Sequence, residues 1–279
     1  MPACWAACSW SSRCCCSFAS SSRAQAPRRR AIGHSIDIRE EAGVRYLHFG
    51  TDWVQGAMRL SKPHRLVLAY TQAMLSFLLF RPEPRNVLLI GLGAASLVRW
   101  FRHHLPDSHL TVIEINRDVI QVAHQFFKLP ADDDRLDVQV GDGHAYMAQS
   151  GPRFDAIFVD GYDHRARPGK LESPEFYRAC RARLAPQGVL VANVFGRVRG
   201  HGQTRKHLGE VFGRGMVLLP SSDSKNVLIT GFADPPSPSS PAQMRDRAVA
   251  LQARYDLPFG KWVHALQRAN RSDAQSLIG

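Results

Sequence analysis

The chain has 279 residues, of which 44% are hydrophobic and 22% charged; this supports one large or two modest globular domains and excludes disorder throughout. The net charge of +12 is not a nucleic-acid signature: residues 1–36 carry five arginines and no acid, only six of the 36 basic residues are lysines, and the other arginines are scattered among acids. That pattern reads as a solvated basic surface, and no zinc-finger spacing or aromatic-glycine RNA-binding run accompanies it. No stretch approaches the roughly 20 apolar residues that span a bilayer, so neither nucleic acid nor membrane is an expected partner.

Five of the six cysteines lie within the first sixteen residues, where no distributed disulfide framework can form. Residues 1–35 are rich in Ser, bear Arg and lack acids, and they have no continuous apolar core like that of a secretory signal. They read as a disordered or mis-started extension, with the fold beginning near Ile36. Cys180 stands alone in a helical pattern, as a small buried hydrophobe. The remainder has a cytoplasmic character.

Residues 36–54 read as short strands with turns at Glu41-Ala42-Gly43 and Gly50-Thr51-Asp52. Apolar positions between 63 and 80 predict a helix ended before Pro82, so residues 36–82 make a small β-rich lead-in plus a helix. From residue 83 the pattern alternates. Strands are predicted over 86–90, 110–115, 136–140, 155–160, 188–194, 217–219 and 226–230. Helices are predicted over 95–104, 117–128, 174–184 and 204–212. This is a doubly wound, seven-stranded Rossmann-like sheet over 83–232. The link between the last two strands is too short for a crossover helix, so they should pair as an antiparallel edge hairpin. Pro235, Pro236, Pro238 and Pro241 mark a linker over 233–241, and 242–279 reads as a helical tail.

Strand one runs into Gly91-Leu92-Gly93-Ala94-Ala95-Ser96, a turn that lets a ligand approach the backbone at a helix start. Ser96 stands where a dinucleotide fingerprint wants a third glycine. Glu114 ends the next strand, about twenty residues after the turn, where a carboxylate can accept ribose hydroxyls. Gly141-Asp142-Gly143 ends the third strand, and Asp160 with Asp163 ends the fourth. Open α/β sheets bind ligands along that edge. A helix N-cap for Asp142 and a turn residue for Asp163 are the plainer readings of the same positions.

Val87–Gly93, Val112–Asn116, Gly141–Gly143, Val159–Asp163 and Glu175-Phe176-Tyr177 together resemble the spermidine synthases, the polyamine aminopropyltransferases built on the class I methyltransferase fold. Gly50–Gln55 and Tyr70-Thr71-Gln72 are similar to the family's segments ahead of the glycine turn. The resemblance covers about residues 36–232 and implies roles residue by residue. Gly91, Gly93 and Gly143 would shape the nucleoside site, Glu114 would hold the ribose and Asp142 the adenine amino group. Asp160 would be the carboxylate at the reacting centre and Asp163 the anchor for the far ammonium, with Gln55, Tyr70 and Tyr177 lining the amine pocket. It also implies decarboxylated S-adenosylmethionine, or the intact form, as co-substrate, no permanently bound cofactor or metal, a small amine as partner, and a homodimer.

Three positions depart from the family. Ala94 replaces an acid that helps favour the decarboxylated donor, Tyr70-Thr71-Gln72 replaces Tyr-His-Glu, and residues 164–168 are more basic than suits a polycation. These keep a methyltransferase and a non-catalytic relative as alternatives, with a nicotinamide dehydrogenase behind them. Leu89, where methyltransferases of this class place an acid, counts against the first. Asp160 counts against the second.

Overall fold

Side-chain alternation along the central strand sets the two cores of this protein. In the computed structural model, β4 (Asn86–Ile90) sends Val87 and Leu89 into one buried cluster and Leu88 and Ile90 into the other. A parallel strand covered on both faces must be apolar on both, which is why its sequence is Asn-Val-Leu-Leu-Ile. The structure describes residues 36–162, 168–195, 201–222, 226–237 and 239–270, all in one compact unit. The extension read over residues 1–35, Asp163, residues 164–167 of the basic stretch and residues 271–279 of the tail lie outside the described residues.

Around β4 lie β5 (His109–Glu114), β6 (Leu136–Val140), β7 (Phe154–Val159), β8 (Leu184–Phe195), β9 (Met216–Pro220) and β10 (Asn226–Phe232). Their order is β6-β5-β4-β7-β8-β10-β9. All neighbours from β6 to β8 are parallel, whereas β10 is antiparallel to both β8 and β9. The seven-stranded sheet and its antiparallel edge hairpin stand as the sequence reading has them. The chain runs outward from β4 in one direction and returns with β7 on the other side. That reversal opens a crevice beyond the C-terminal ends of β4 and β7.

One face of the sheet is covered by α2 (Ser96–His104), α3 (Arg117–Phe126), α7 (Pro241–Tyr255) and α8 (Phe259–Ala269), the other by α4 (Gly143–Ala148), α5 (Pro174–Ala182) and α6 (His201–Phe212). Cys180 of α5 is a fully buried free thiol, and burial pushes its pKa up. None of the described helices is long and apolar enough to cross a membrane.

Several elements differ from expectation. A third lead-in strand, β3 (Val54–Arg59), follows β1 (Asp37–Glu41) and β2 (Val44–His48) in an antiparallel sheet. Its buried stretch Gly56-Ala57-Met58 lacks the polar alternation of a half-buried strand, so periodicity did not mark it. The helix expected over 63–80 shrinks to α1 (Ala69–Met74) and a 3-10 turn, Leu75–Leu79. Residues ahead of it are held as a loop: the Arg99 guanidinium binds the Pro63 carbonyl at 2.8 Å and the Gln72 amide binds Leu66 O at 2.9 Å. The short α4 was not foreseen, and Leu184 belongs to β8 rather than to the preceding helix. Further on, α7 begins at Pro241 because Ser240 and Gln243 form a capping box with proline at the first turn.

At the end of the sheet opposite the crevice, Asp155 of β7 fastens the start of β4. Its carboxylate accepts from the backbone N–H groups of Arg85 (2.7 Å) and Asn86 (3.0 Å) and from the Arg81 guanidinium (2.6 Å). Burial pushes its pKa up, but these donors outweigh it and hold the carboxyl below its ordinary value of 3.8. The stability Asp155 contributes is therefore complete above that pH and is lost as pH falls through the lower folded value. Asp155→Ala, which leaves two backbone donors without an acceptor and a half-buried arginine without its counter-ion, should cost about 3 kcal/mol at pH 7 in urea denaturation. The same variant should lack this component of acid sensitivity.

Candidate active site

Four strand ends, those of β4, β5, β6 and β7, are laced together by backbone hydrogen bonds that run past the strands themselves. Gly91 N donates to Ile113 O, Asp160 N to Ile90 O and Gly141 N to Glu114 O, each at 2.9 Å. The chain turns so sharply after β4 that Gly91 adopts φ 98°. A Cβ there would lie 2.3 Å from the Asp160 carbonyl oxygen, so only glycine fits both the conformation and the space. Beyond this lacing is a pocket of about 300 Å³.

Gln55 of β3, Tyr70 of α1, Gly91 and Gly93 after β4, Glu114 at the end of β5, Asp142 and Gly143 after β6, and Asp160 after β7 all line that pocket. Eight positions singled out in the sequence are thus brought together from six elements or their ends. Asp163 lies outside the described residues. Tyr177 of α5 is not among the lining residues: it is 2% exposed and borders a second cavity of about 170 Å³ with Tyr162, Glu172, Asn193 and Thr204.

Glu114 is a buried carboxylate held by backbone. One oxygen accepts from Leu92 N and the other from Asn116 N, both at 2.9 Å. Burial raises its pKa, and the N–H groups of the glycine turn and the following residues work against that rise. It therefore fastens the turn to β5, and a carboxylate with two oxygens still has lone pairs for further donors. Asp142 caps α4: its Oδ1 accepts from His144 N at 2.7 Å and Ala145 N at 3.2 Å. The plainer reading of Asp142 is correct, and it coexists with a place in the pocket wall.

Asp160 differs in kind. Its Oδ1 accepts from Asn193 Nδ2 of β8 at 2.7 Å, and the Tyr70 hydroxyl donates a second hydrogen bond. Burial raises the pKa of the carboxyl, and the two donors lower it in part. Burial and the adjacent carboxylate push the Tyr70 phenol well above its ordinary value of 10.0, so it stays protonated as a donor. Both donors are neutral, and neither cancels the charge they support.

Sequence reasoning missed Phe49, Ile115, Lys170 and Leu171 as lining residues, and Asn193 as the partner of Asp160. Ile115 closes the predicted strand, whereas the structure leaves it 70% exposed directly after the strand-end acid. Asn193 carried a signal, as an amide inside the apolar run Val191-Ala192-Asn193-Val194. Ala94, where the resembling family usually has an acid, is 2% exposed. Its methyl faces Gly56 of β3, at which a Cβ would lie 2.5 Å away.

Residues 68–197 match the Spermine/spermidine synthase domain family. The polyamine aminopropyltransferase of Chromobacterium violaceum is 35% identical over 243 residues, which cover 87% of this chain and 93% of that protein. Among solved structures, a probable spermidine synthase from Corynebacterium glutamicum superposes with TM-score 0.64 at 19% identity, over 77% of this chain and 84% of that one. A spermidine synthase in complex with the transition state analogue AdoDATO gives 0.56 at 22% identity, over 71% and 70%. The structural likenesses show the fold, and the extent of the sequence match makes this chain a member of the polyamine aminopropyltransferase family, the spermidine synthase type of transferase.

Proposed function

We propose that this protein transfers an aminopropyl group from decarboxylated S-adenosylmethionine to a small amine such as putrescine, with Asp160 as the base. The observation that carries this reading is the Asp160 carboxylate, partly buried on the pocket wall and held by the neutral donors Asn193 and Tyr70. Such a group keeps its negative charge for a cationic substrate. Among the described residues, the pocket wall carries three acids, Glu114, Asp142 and Asp160, and one cation, Lys170. Donor and acceptor here are both cations, a sulfonium and an ammonium.

The acceptor's ammonium has a reference pKa near ~10.4 and cannot attack while protonated. Asp160 takes its proton. The freed nitrogen lone pair then forms a bond to the donor carbon beside the sulfonium, and the carbon–sulfur bond breaks, leaving its electron pair on sulfur. Methylthioadenosine departs as a neutral thioether. Glu114 would accept the ribose hydroxyls on the lone pairs that Leu92 and Asn116 leave open, and the Asp142 carboxylate would meet the adenine amino group. Gln55 and Tyr70 would line the amine side, with Asp163 as the far-end anchor. The cytoplasm, where such donors and amines are dissolved, is the compartment this reading assigns.

With Ala94 turned toward Gly56, the glycine turn supplies no carboxylate to the donor's terminal amine. Donor choice is therefore the sharpest test. In calorimetric titrations, the decarboxylated donor should bind more tightly than intact S-adenosylmethionine, and putrescine should strengthen it. Preference for the intact donor would instead make this protein a methyltransferase. Asp160→Asn should lower kcat by about 10²–10⁴-fold, the usual contribution of a positioned base, while donor affinity changes little. Turnover within about tenfold of the unsubstituted protein would remove Asp160 from that role.

A further inference from the structure

We infer that Asn193 and Asn226 form a relay of two side-chain amides that aims the Asp160 carboxylate into the pocket, so that both are positioning residues for the reaction. The inference rests on Asp160 being the base.

Three adjacent strands bring these side chains to one level of the sheet. Val159 pairs with Ala192 across β7 and β8, so Asp160 and Asn193 follow side by side. Asn226 of β10 stands opposite Phe195, diagonal to Asn193 in the antiparallel ladder, within reach for long side chains on one face. Asn226 Nδ2 donates to Asn193 Oδ1 at 2.7 Å, and Asn193 Nδ2 donates to Asp160 Oδ1 at 2.7 Å.

The direction of the chain follows from donor and acceptor chemistry. An ionised carboxylate only accepts, so the amide nitrogen of Asn193 must face it and the amide oxygen must face away. That oxygen needs a donor, which Asn226 supplies only in the orientation found. The two amides are 6% and 7% exposed, and Asn193 interrupts the apolar run of β8. Buried amides in a strand are costly unless every group is paired, and asparagine is a poor strand former. The Tyr162 hydroxyl also donates to the Asn193 backbone carbonyl, which fastens the loop after Asp160 to the same residue. With Asn193 on Oδ1 and Tyr70 as the second donor, the carboxylate keeps lone pairs for a substrate in the pocket it lines.

A purely structural pair of amides would set stability but not the ionisation of Asp160. The test uses the full chain and follows kcat, donor affinity and the acid limb of kcat/KM against pH. Asn193→Leu removes the donor at nearly constant volume. Asn226→Leu removes the donor to Asn193 Oδ1 without adding a charge, so nothing in the chain of amides then holds the Asn193 nitrogen toward Asp160. Among the described residues, the titratable groups around the pocket besides Tyr70 of α1 and Tyr162 are Glu114, Asp142 and Lys170, and Glu172 and Tyr177 border the cavity behind Asn193; neither substitution replaces any of them. A carboxylate that loses a donor protonates at higher pH, so activity should be lost earlier as pH falls. Both variants should move the acid limb up by about one pH unit, the size of one hydrogen bond to a charged group. They should lower kcat by about 10–100-fold while donor affinity holds.

An unmoved acid limb in both variants would overturn the relay, whatever happened to stability. Asp160→Asn, measured alongside, separates the two ideas. If it is inactive while the asparagine variants keep the original limb, only the relay falls. If it retains turnover, the base assignment falls and the relay with it.

Discussion

The crest of the sheet depends on one close approach, that of Gly91 to the backbone of Asp160. The Asp160 N–H reaches back to the Ile90 carbonyl and the Gly91 N–H to that of Ile113, so β4, β5 and β7 end locked together. A side chain at position 91 would overlap the Asp160 carbonyl and separate the strands. The same contact that completes the sheet therefore sets the distance between the nucleoside side of the pocket, built on β4 and β5, and its reactive side, built on β7. Precision at the site derives from the rigid layer beneath it.

Charge is handled differently at the two ends of the sheet. Asp155, beneath, has an arginine and two backbone N–H groups as partners, and its negative charge is consumed in fastening β4 to β7. Glu114 is held by backbone amides of the glycine turn and the residues after β5. Among the described residues, the side chains that hold Asp160 are the neutral donors Asn193 and Tyr70. A carboxylate paired with arginine is already neutralised for an incoming ammonium, whereas one supported by an amide and a phenol retains its charge.

The sheet was legible because its strands are short apolar runs separated by glycine and amphipathic helices, and periodicity marks such elements directly. The acids at the strand ends were legible for the same reason: a charged residue that closes an apolar run stands out. Elements whose shape depends on tertiary partners were not. β3 is buried over its middle and shows no alternation, and the segment before α1 is apolar at helical spacing yet stays a loop of turns and bends because Arg99 and Gln72 capture its carbonyls. Likewise α4 has only six residues, too few for a periodic signal, and is started by the Asp142 cap.

The sequence by itself determined the doubly wound sheet, the glycine turn, and the acids Glu114, Asp142 and Asp160 at successive strand ends, because these follow from local periodicity and from which residues close each strand. Only the tertiary structure decided what surrounds them. It put Gln55 and Tyr70, from elements outside the alternating sheet, into the pocket wall, left Tyr177 at an adjoining cavity that shares Gly161, Tyr162, Pro168 and Leu171 with that pocket, and turned Ala94 toward Gly56. It also set Asn193 and Asn226 behind Asp160. Asn226 lies sixty-six positions after Asp160, and no local pattern links residues so far apart. Their meeting is fixed by strand order and register, which the whole chain sets through the packing of its two cores.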